Sequence, residues 1–177
     1  MNILIVVPVY NEEKILKKNI LNLFSFCQKN LKDEFTILIV DNASQDQTLV
    51  IGQQLSTQNK NIQYLKIEKK GKGVAIKRGW THQDADVYCF MDVDLSTDLE
   101  ALPSLIAGIN EGFDVVIGSR FHENSKVTRS LIRQITSAGY RFVLKKIFRV
   151  SLNDAPCGFK AINHKVREEP DGCIGKI

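Results

Sequence analysis

The chain opens with an unbroken apolar, β-branched run from Asn2 to Val9, the pattern of a strand buried on both faces. Asn11-Glu12-Glu13 then starts a helical periodicity that reaches about Lys29. The same rhythm recurs: a strand over Phe35–Val40, a helix from about Gln47 to Gln58, a strand near Ile62–Ile67 and a helix from about Gly73 to His82. A further unit has an apolar run at Val87–Met91, a helix over Leu99–Ile109 with Pro103 in its first turns, and a strand at Asp114–Gly118. Strands alternating with helices predict an α/β fold, a largely parallel sheet covered on both faces. Beyond Arg120 the pattern changes. Arg129–Val150 reads as one long amphipathic helix, with Ile132, Ile135, Phe142, Val143 and Ile147 at helical spacing beside cations. Arg167–Ile177, with Pro170, Gly172 and Gly175, reads as an irregular tail.

A length of 177 residues, 44% hydrophobic and 25% charged, suits one globular domain, 1–166, followed by the tail 167–177. No apolar run approaches the roughly 18 to 20 residues that span a bilayer, and no basic region with an apolar signal segment opens the chain. A cytoplasmic location is expected. Cys27, Cys89, Cys157 and Cys173 are far apart and form no C-x-x-C pair, so reduced thiols are expected rather than disulfides or zinc ligands. The net charge of +4 is uneven: from Arg120 to Arg149 eight basic residues meet one acid, Glu123, so this segment carries +7 and the rest −3. Such a segment suits nucleic acid, an anionic membrane or a phosphorylated substrate, or simply a solvated helix face.

Ligands of open parallel sheets bind beyond the carboxyl ends of the strands, so the residues ending each strand carry the chemistry. Three strands end in acids: Pro8-Val9-Tyr10-Asn11-Glu12, Asp41-Asn42-Ala43-Ser44 and Asp92-Val93-Asp94. Taken singly, the first two are also ordinary helix starts and capping turns. Asp92 and Asp94 stand two apart and point the same way if the strand geometry persists, a repulsion that a divalent cation relieves. Hard oxygen ligands favour Mg²⁺ or Mn²⁺, which fill their remaining positions from water and phosphate. Lys69-Lys70-Gly71-Lys72-Gly73 precedes a helix and offers cations and amides to anionic oxygen. It has neither the P-loop spacing nor a G-x-G-x-x-G after the first strand, which argues against a kinase-type NTPase and a nicotinamide dehydrogenase.

Read in order, Val-Pro-Val-Tyr-Asn-Glu-Glu, Asp-Asn-Ala-Ser-Gln-Asp, Gly-Lys-Gly, Met-Asp-Val-Asp, Gly-Ser-Arg and Asp-Ala-Pro-Cys-Gly-Phe-Lys resemble family 2 glycosyltransferases of the GT-A fold. The similarity runs from about Ile3 to Asn163 and is to the dolichyl- or polyprenyl-phosphate mannosyl- and glucosyltransferase branch. The resemblance implies a three-layer α/β/α domain with a mainly parallel central sheet. It implies inverting transfer of a hexose from a UDP-glucose or GDP-mannose type donor to a polyprenyl or dolichyl phosphate, with Mg²⁺ or Mn²⁺ and no nucleic-acid partner. By the same resemblance Pro8, Tyr10, Glu12, Val40 and Asp41 hold the nucleoside, and Asp92 and Asp94 the metal, with Val93 where alanine is frequent. Lys72 falls in the Gly-Lys-Gly element. Arg120 meets the diphosphate or the acceptor phosphate, Arg129, Arg133 and Ser137 lie near the acceptor phosphate, and Asp154 stands beside the reaction centre. Cys157 leans towards the glucosyl branch.

Since the acceptor is a lipid, the helix over Arg129–Val150 is a candidate for peripheral contact with the cytoplasmic face of a membrane, or else for core packing. Family members continue past Gly-Phe-Lys with further helix and strand, so the domain is expected to be incomplete at its C-terminal side. A non-catalytic nucleotide-sugar binder or partner subunit is the alternative function.

Overall fold

The computed structural model describes residues 1–118 and 158–168. The helix expected over Arg129–Val150, the site candidates Arg120, Arg129, Arg133, Ser137 and Asp154, and Cys157 and Cys173 lie outside the described residues.

Within them a six-stranded sheet runs in the order β3-β2-β1-β4-β6-β5. Its strands are β1 (Asn2–Val9), β2 (Glu34–Asn42), β3 (Ile62–Ile67), β4 (Val87–Met91), β5 (Val115–Ile117) and β6 (Phe159–Asn163). β3, β2, β1 and β4 pair in parallel, and β6 runs antiparallel to both β4 and β5. The helices are α1 (Leu16–Asn30), α2 (Thr48–Gln58), α3 (Lys72–Trp80), α4 (Leu102–Asn110), preceded by a 3₁₀ turn at Leu99–Ala101, and α5 (His164–Glu168). The mainly parallel α/β/α architecture is therefore the one the patterning predicts.

Alternation along β1 explains the two cores. Ile3, Ile5, Val7 and Val9 face one side with Leu16, Ile20, Leu23 and Cys27 of α1, Leu55 of α2 and Leu102, Leu105, Ile106 and Ile109 of α4. Leu4 and Val6 face the other, with Ala75 of α3, Tyr88 of β4 and Ile162 of β6. Every residue from Ile3 to Val9 is buried, which is why the run is apolar without alternation. Gly79 lets α3 sit directly on the sheet: a Cβ there would come 2.5 Å from a methyl of Val6.

Three elements differ from the sequence expectation. α1 begins at Leu16 rather than Asn11. The amides of Glu12 and Glu13 are taken by side chains at the entry to α2, Thr48 Oγ1 at 2.8 Å and Asp46 Oδ2 at 3.2 Å, so this stretch is a turn tied to its neighbour. The helix α5 includes Arg167 and Glu168, at the start of the expected tail, and Arg167 pairs with Asp84 at 2.8 Å. Strand β6 has no counterpart in the sequence reading. Five residues inserted between strands distant in sequence carry no local signal of that pairing.

Candidate active site

The chain runs outward from β1 to β2 to β3 and then returns to place β4 on the other side of β1. The carboxyl ends of β1 and β4 therefore diverge into loops on opposite sides, the switch point at which open α/β sheets bind ligands. A pocket of about 370 Å³ lies there, lined by Pro8, Val9, Tyr10 and Glu12 after β1, Asn42 after β2, Lys72 at the start of α3, and Asp92, Val93 and Asp94 after β4. Its size suits a small ligand.

Four loops that meet at this edge are tied to one another through side chains. Asn11, at φ 55°, donates its amide to Ser44 Oγ at 3.0 Å and accepts from the Gln45 amide at 2.8 Å. Left-handed backbone suits asparagine better than most residues. Glu13 Oε2 accepts from the Gln47 amide at 3.0 Å. Asn42 Oδ1 accepts from the amide of Gly71, whose φ of 142° requires glycine, at 2.9 Å, and so sets where α3 begins. Asn19, from the body of α1, donates to the carbonyl of Val93 at 2.9 Å.

β4 ends at Met91, and the next three residues alternate. Val93 is buried, Asp92 is half-buried and Asp94 is exposed, so both carboxylates lie on the pocket side. Asp94 Oδ1 accepts from the Ser96 amide at 3.0 Å, and Leu95 at φ 49° turns the chain away. Asp92 is held on two sides. Its Oδ1 lies 2.6 Å from Lys72 Nζ, and its Oδ2 packs against Gly158, where any Cβ would collide with it. The backbone joins in, as the Asp92 amide donates to the Gly158 carbonyl at 3.1 Å. Burial and then repulsion from Asp94, Asp46 and Asp92 raise the carboxyl pKa of Glu12 above its ordinary value. Among the described residues the lining of the crevice holds three carboxylates and one cation, Lys72.

Among the described residues no group of three or more His, Cys, Asp or Glu side chains is gathered to hold a metal alone. Two carboxylates on one loop still fit a hard divalent cation that takes its other oxygens from water and phosphate. They do not fit a cage that holds its metal unaided.

The candidates Pro8, Tyr10, Glu12, Lys72, Asp92, Val93 and Asp94 are therefore brought together. Val40 and Asp41 are not among the lining residues: both are fully buried. Asp41 Oδ2 accepts the Tyr64 hydroxyl at 2.5 Å and Oδ1 the Ser44 amide at 2.9 Å, which places this carboxylate beneath the loop. Sequence reasoning passed over Asn19 and Thr48, and quoted Asn42 and Gly158 within motifs without assigning either a role. The first three look like ordinary helix or turn residues, and Gly158 shows its reason only where Asp92 touches it. Lys70 is turned to Tyr10, with Nζ 3.0 Å from the phenol oxygen and 4.9 Å from the ring centroid.

A switch-point crevice lined by three carboxylates and a lysine marks an open α/β protein with a ligand-sized site at the ends of its strands. The comparison with known proteins narrows this class. Residues 4–169 match Glycosyl transferase family 2, and the chain belongs to that family. It is 32% identical over 174 residues to the dolichol-phosphate mannosyltransferase of Pyrococcus furiosus, covering 95% of this chain and 48% of that protein. It is 27% identical over 164 residues to the undecaprenyl-phosphate 4-deoxy-4-formamido-L-arabinose transferase of Salmonella choleraesuis, covering 92% and 49%. The chain thus spans about half the length of these curated relatives. The fold is also that of a mannosyltransferase from Pyrobaculum calidifontis solved with GDP-Man and Mn²⁺, with a TM-score of 0.64 and 17% identity, covering 96% of this chain and 46% of that one.

Proposed function

We propose that this chain carries the donor-binding part of an inverting glycosyltransferase that moves a hexose from a nucleotide-diphosphate sugar to a polyprenyl or dolichyl phosphate. The observation that carries the reading is the convergence of Glu12, Asp92, Asp94 and Lys72 in one crevice at the carboxyl ends of β1 and β4. Pro8, Tyr10 and Asn42 form the side that would receive the nucleoside. Lys72 faces the diphosphate, and Asp92 with Asp94 would hold Mg²⁺ or Mn²⁺. Such a cation stabilises negative charge on a departing diphosphate. The names of the relatives, each a transferase on a dolichol or undecaprenyl phosphate, support this acceptor class.

The chemistry asks little of a general base. A phosphomonoester with a second pKa near ~6 reaches the site largely deprotonated, so its oxygen needs positioning more than activation. That oxygen bonds to the anomeric carbon on the face opposite the leaving group, while the bond from that carbon to the diphosphate oxygen breaks with its electron pair. Configuration inverts. We extend the proposal to Arg120, Arg129, Arg133 and Ser137 as acceptor-phosphate contacts and to Asp154 beside the reaction centre. A lipid acceptor places the reaction at a bilayer surface. The contact we propose is peripheral, on the cytoplasmic face, and among the described residues no helix is long and apolar enough to cross a bilayer.

Calorimetric titration with UDP-glucose and GDP-mannose, each with and without Mn²⁺, tests donor binding. Radiolabel transfer to a short-chain polyprenyl phosphate tests catalysis. Transfer supports the full reading, and metal-dependent binding without transfer assigns a nucleotide-sugar binder instead. Failure to bind either donor overturns the assignment.

A further inference from the structure

We infer that Lys72 is an internal counter-ion that competes with the divalent cation for Asp92, so that metal is captured together with the diphosphate and only weakly without it. The inference rests on the proposed donor site and deepens it. Its ground is the 2.6 Å contact between Lys72 Nζ and Asp92 Oδ1, one of the few carboxylate oxygens the crevice offers to a metal. Three carboxylates line that crevice, Glu12, Asp92 and Asp94, and Lys72 is the cation among its lining residues. The nearby Lys70 is engaged by Tyr10 instead.

The side chain is placed so that it can leave. Asn42 fixes the backbone at the start of α3 through the Gly71 amide, but the Lys72 side chain is 56% exposed and its ammonium rests 5.3 Å from the centre of the Phe90 ring. A divalent ion approaching Asp92 alone meets a like charge at contact distance. A diphosphate arriving with it gives the ammonium a second anionic partner and frees the Asp92 oxygen. Lysine suits this exchange because it is a compact point charge on a flexible stem. Metal and nucleotide are then positively coupled, and linkage requires each to tighten the other equally.

The test separates the two sites of that coupling. On the full chain, Mn²⁺ alone is titrated by loss of the resonance of the free aqua ion, and UDP and GDP are titrated with and without Mn²⁺. In the unmodified protein, saturating nucleotide should tighten Mn²⁺ by at least about tenfold. K72M should bind Mn²⁺ alone about fivefold tighter, the upper end for a partly exposed ion pair. It should also bind nucleotide more weakly and lose about fivefold of the coupling, the rest being direct coordination of the metal by the diphosphate, while K72R retains it. Melting in EDTA checks the fold, and K72Q replaces K72M if that variant melts early. Unchanged or weaker Mn²⁺ binding in the charge-free variant overturns the inference. Asp94→Asn, measured alongside, keeps the two failures apart. If it abolishes Mn²⁺ binding while K72M changes nothing, the counter-ion role alone falls. If Mn²⁺ and nucleotide binding are both indifferent to it, the donor site falls and takes the inference with it.

Discussion

Replacing Gly158 with alanine should damage the site far more than the fold. A Cβ built there lies 2.6 Å from Asp92 Cγ and closer still to Oδ2, against an ordinary contact of about 3.5–4.0 Å. Asp92 must therefore move by about 1 Å or change its χ1 rotamer. The Gly158 carbonyl, which accepts from the Asp92 amide, keeps β4 and β6 registered and resists a backbone shift. Turning the side chain off its rotamer costs about 0.5–1.5 kcal/mol. Loss of the Lys72 ion pair adds at most about 1 kcal/mol, because Lys72 is partly exposed and solvent screens the pair. The total is about 0.5–2.5 kcal/mol, or a fall in Tm of roughly 1–10 °C for a chain of this length. A misplacement of about 1 Å can cost about 100-fold where geometry matters, so metal-dependent nucleotide affinity should drop by about 10- to 100-fold. Melting in EDTA reads the first quantity, and calorimetry with UDP and GDP in Mn²⁺ reads the second. If Gly158→Ala melts early yet binds nucleotide and Mn²⁺ as well as the unmodified chain, Asp92 is not a metal ligand and the argument fails.

Other consequences are open to direct measurement. Asn19→Ala removes the hydrogen bond to the Val93 carbonyl; it should cost about 0.5–1.5 kcal/mol in denaturant unfolding and weaken metal-dependent nucleotide binding about tenfold, and an unchanged affinity would show that α1 does not position the loop. Glu12 has a folded pKa raised above 4.5, by burial first and then by Asp94, Asp46 and Asp92. The protonated form is thus favoured in the fold, and the stability this contributes is full below the unfolded value and lost as pH rises through the folded one. Glu12→Gln should therefore melt higher than the unmodified chain at pH 7 in EDTA, with the difference vanishing below about pH 4; a constant difference at all pH values would contradict it. Burial pushes the Cys27 thiol up to about 12, and burial with Cys27 nearby pushes Cys89 up as well. Peptide mapping after iodoacetamide at pH 8 should find both unlabelled until denaturant is added, and labelling of the native protein would show that the core opens there.

Much of this was legible in the chain. The apolar runs of β1, β2 and β4 and the spacing of Leu16, Ile20, Leu23 and Cys27 fix element type because a sheet buried on both faces and a helix on its surface demand different periods. The acids at the strand ends gave the neighbourhood of the site, since parallel strands deliver their carboxyl ends to one edge. Tertiary structure alone decided the rest. Which loops meet there depends on β4 returning beside β1 and on β6 entering antiparallel between β4 and β5, pairings between residues far apart in sequence. That return places Asp92 between Lys72 and Gly158 and brings Asn19 to the Val93 carbonyl, while the pairing of β2 with β3 sets Tyr64 on Asp41. Local pattern records what each residue prefers. Contact between distant segments decides which preferences act on one another.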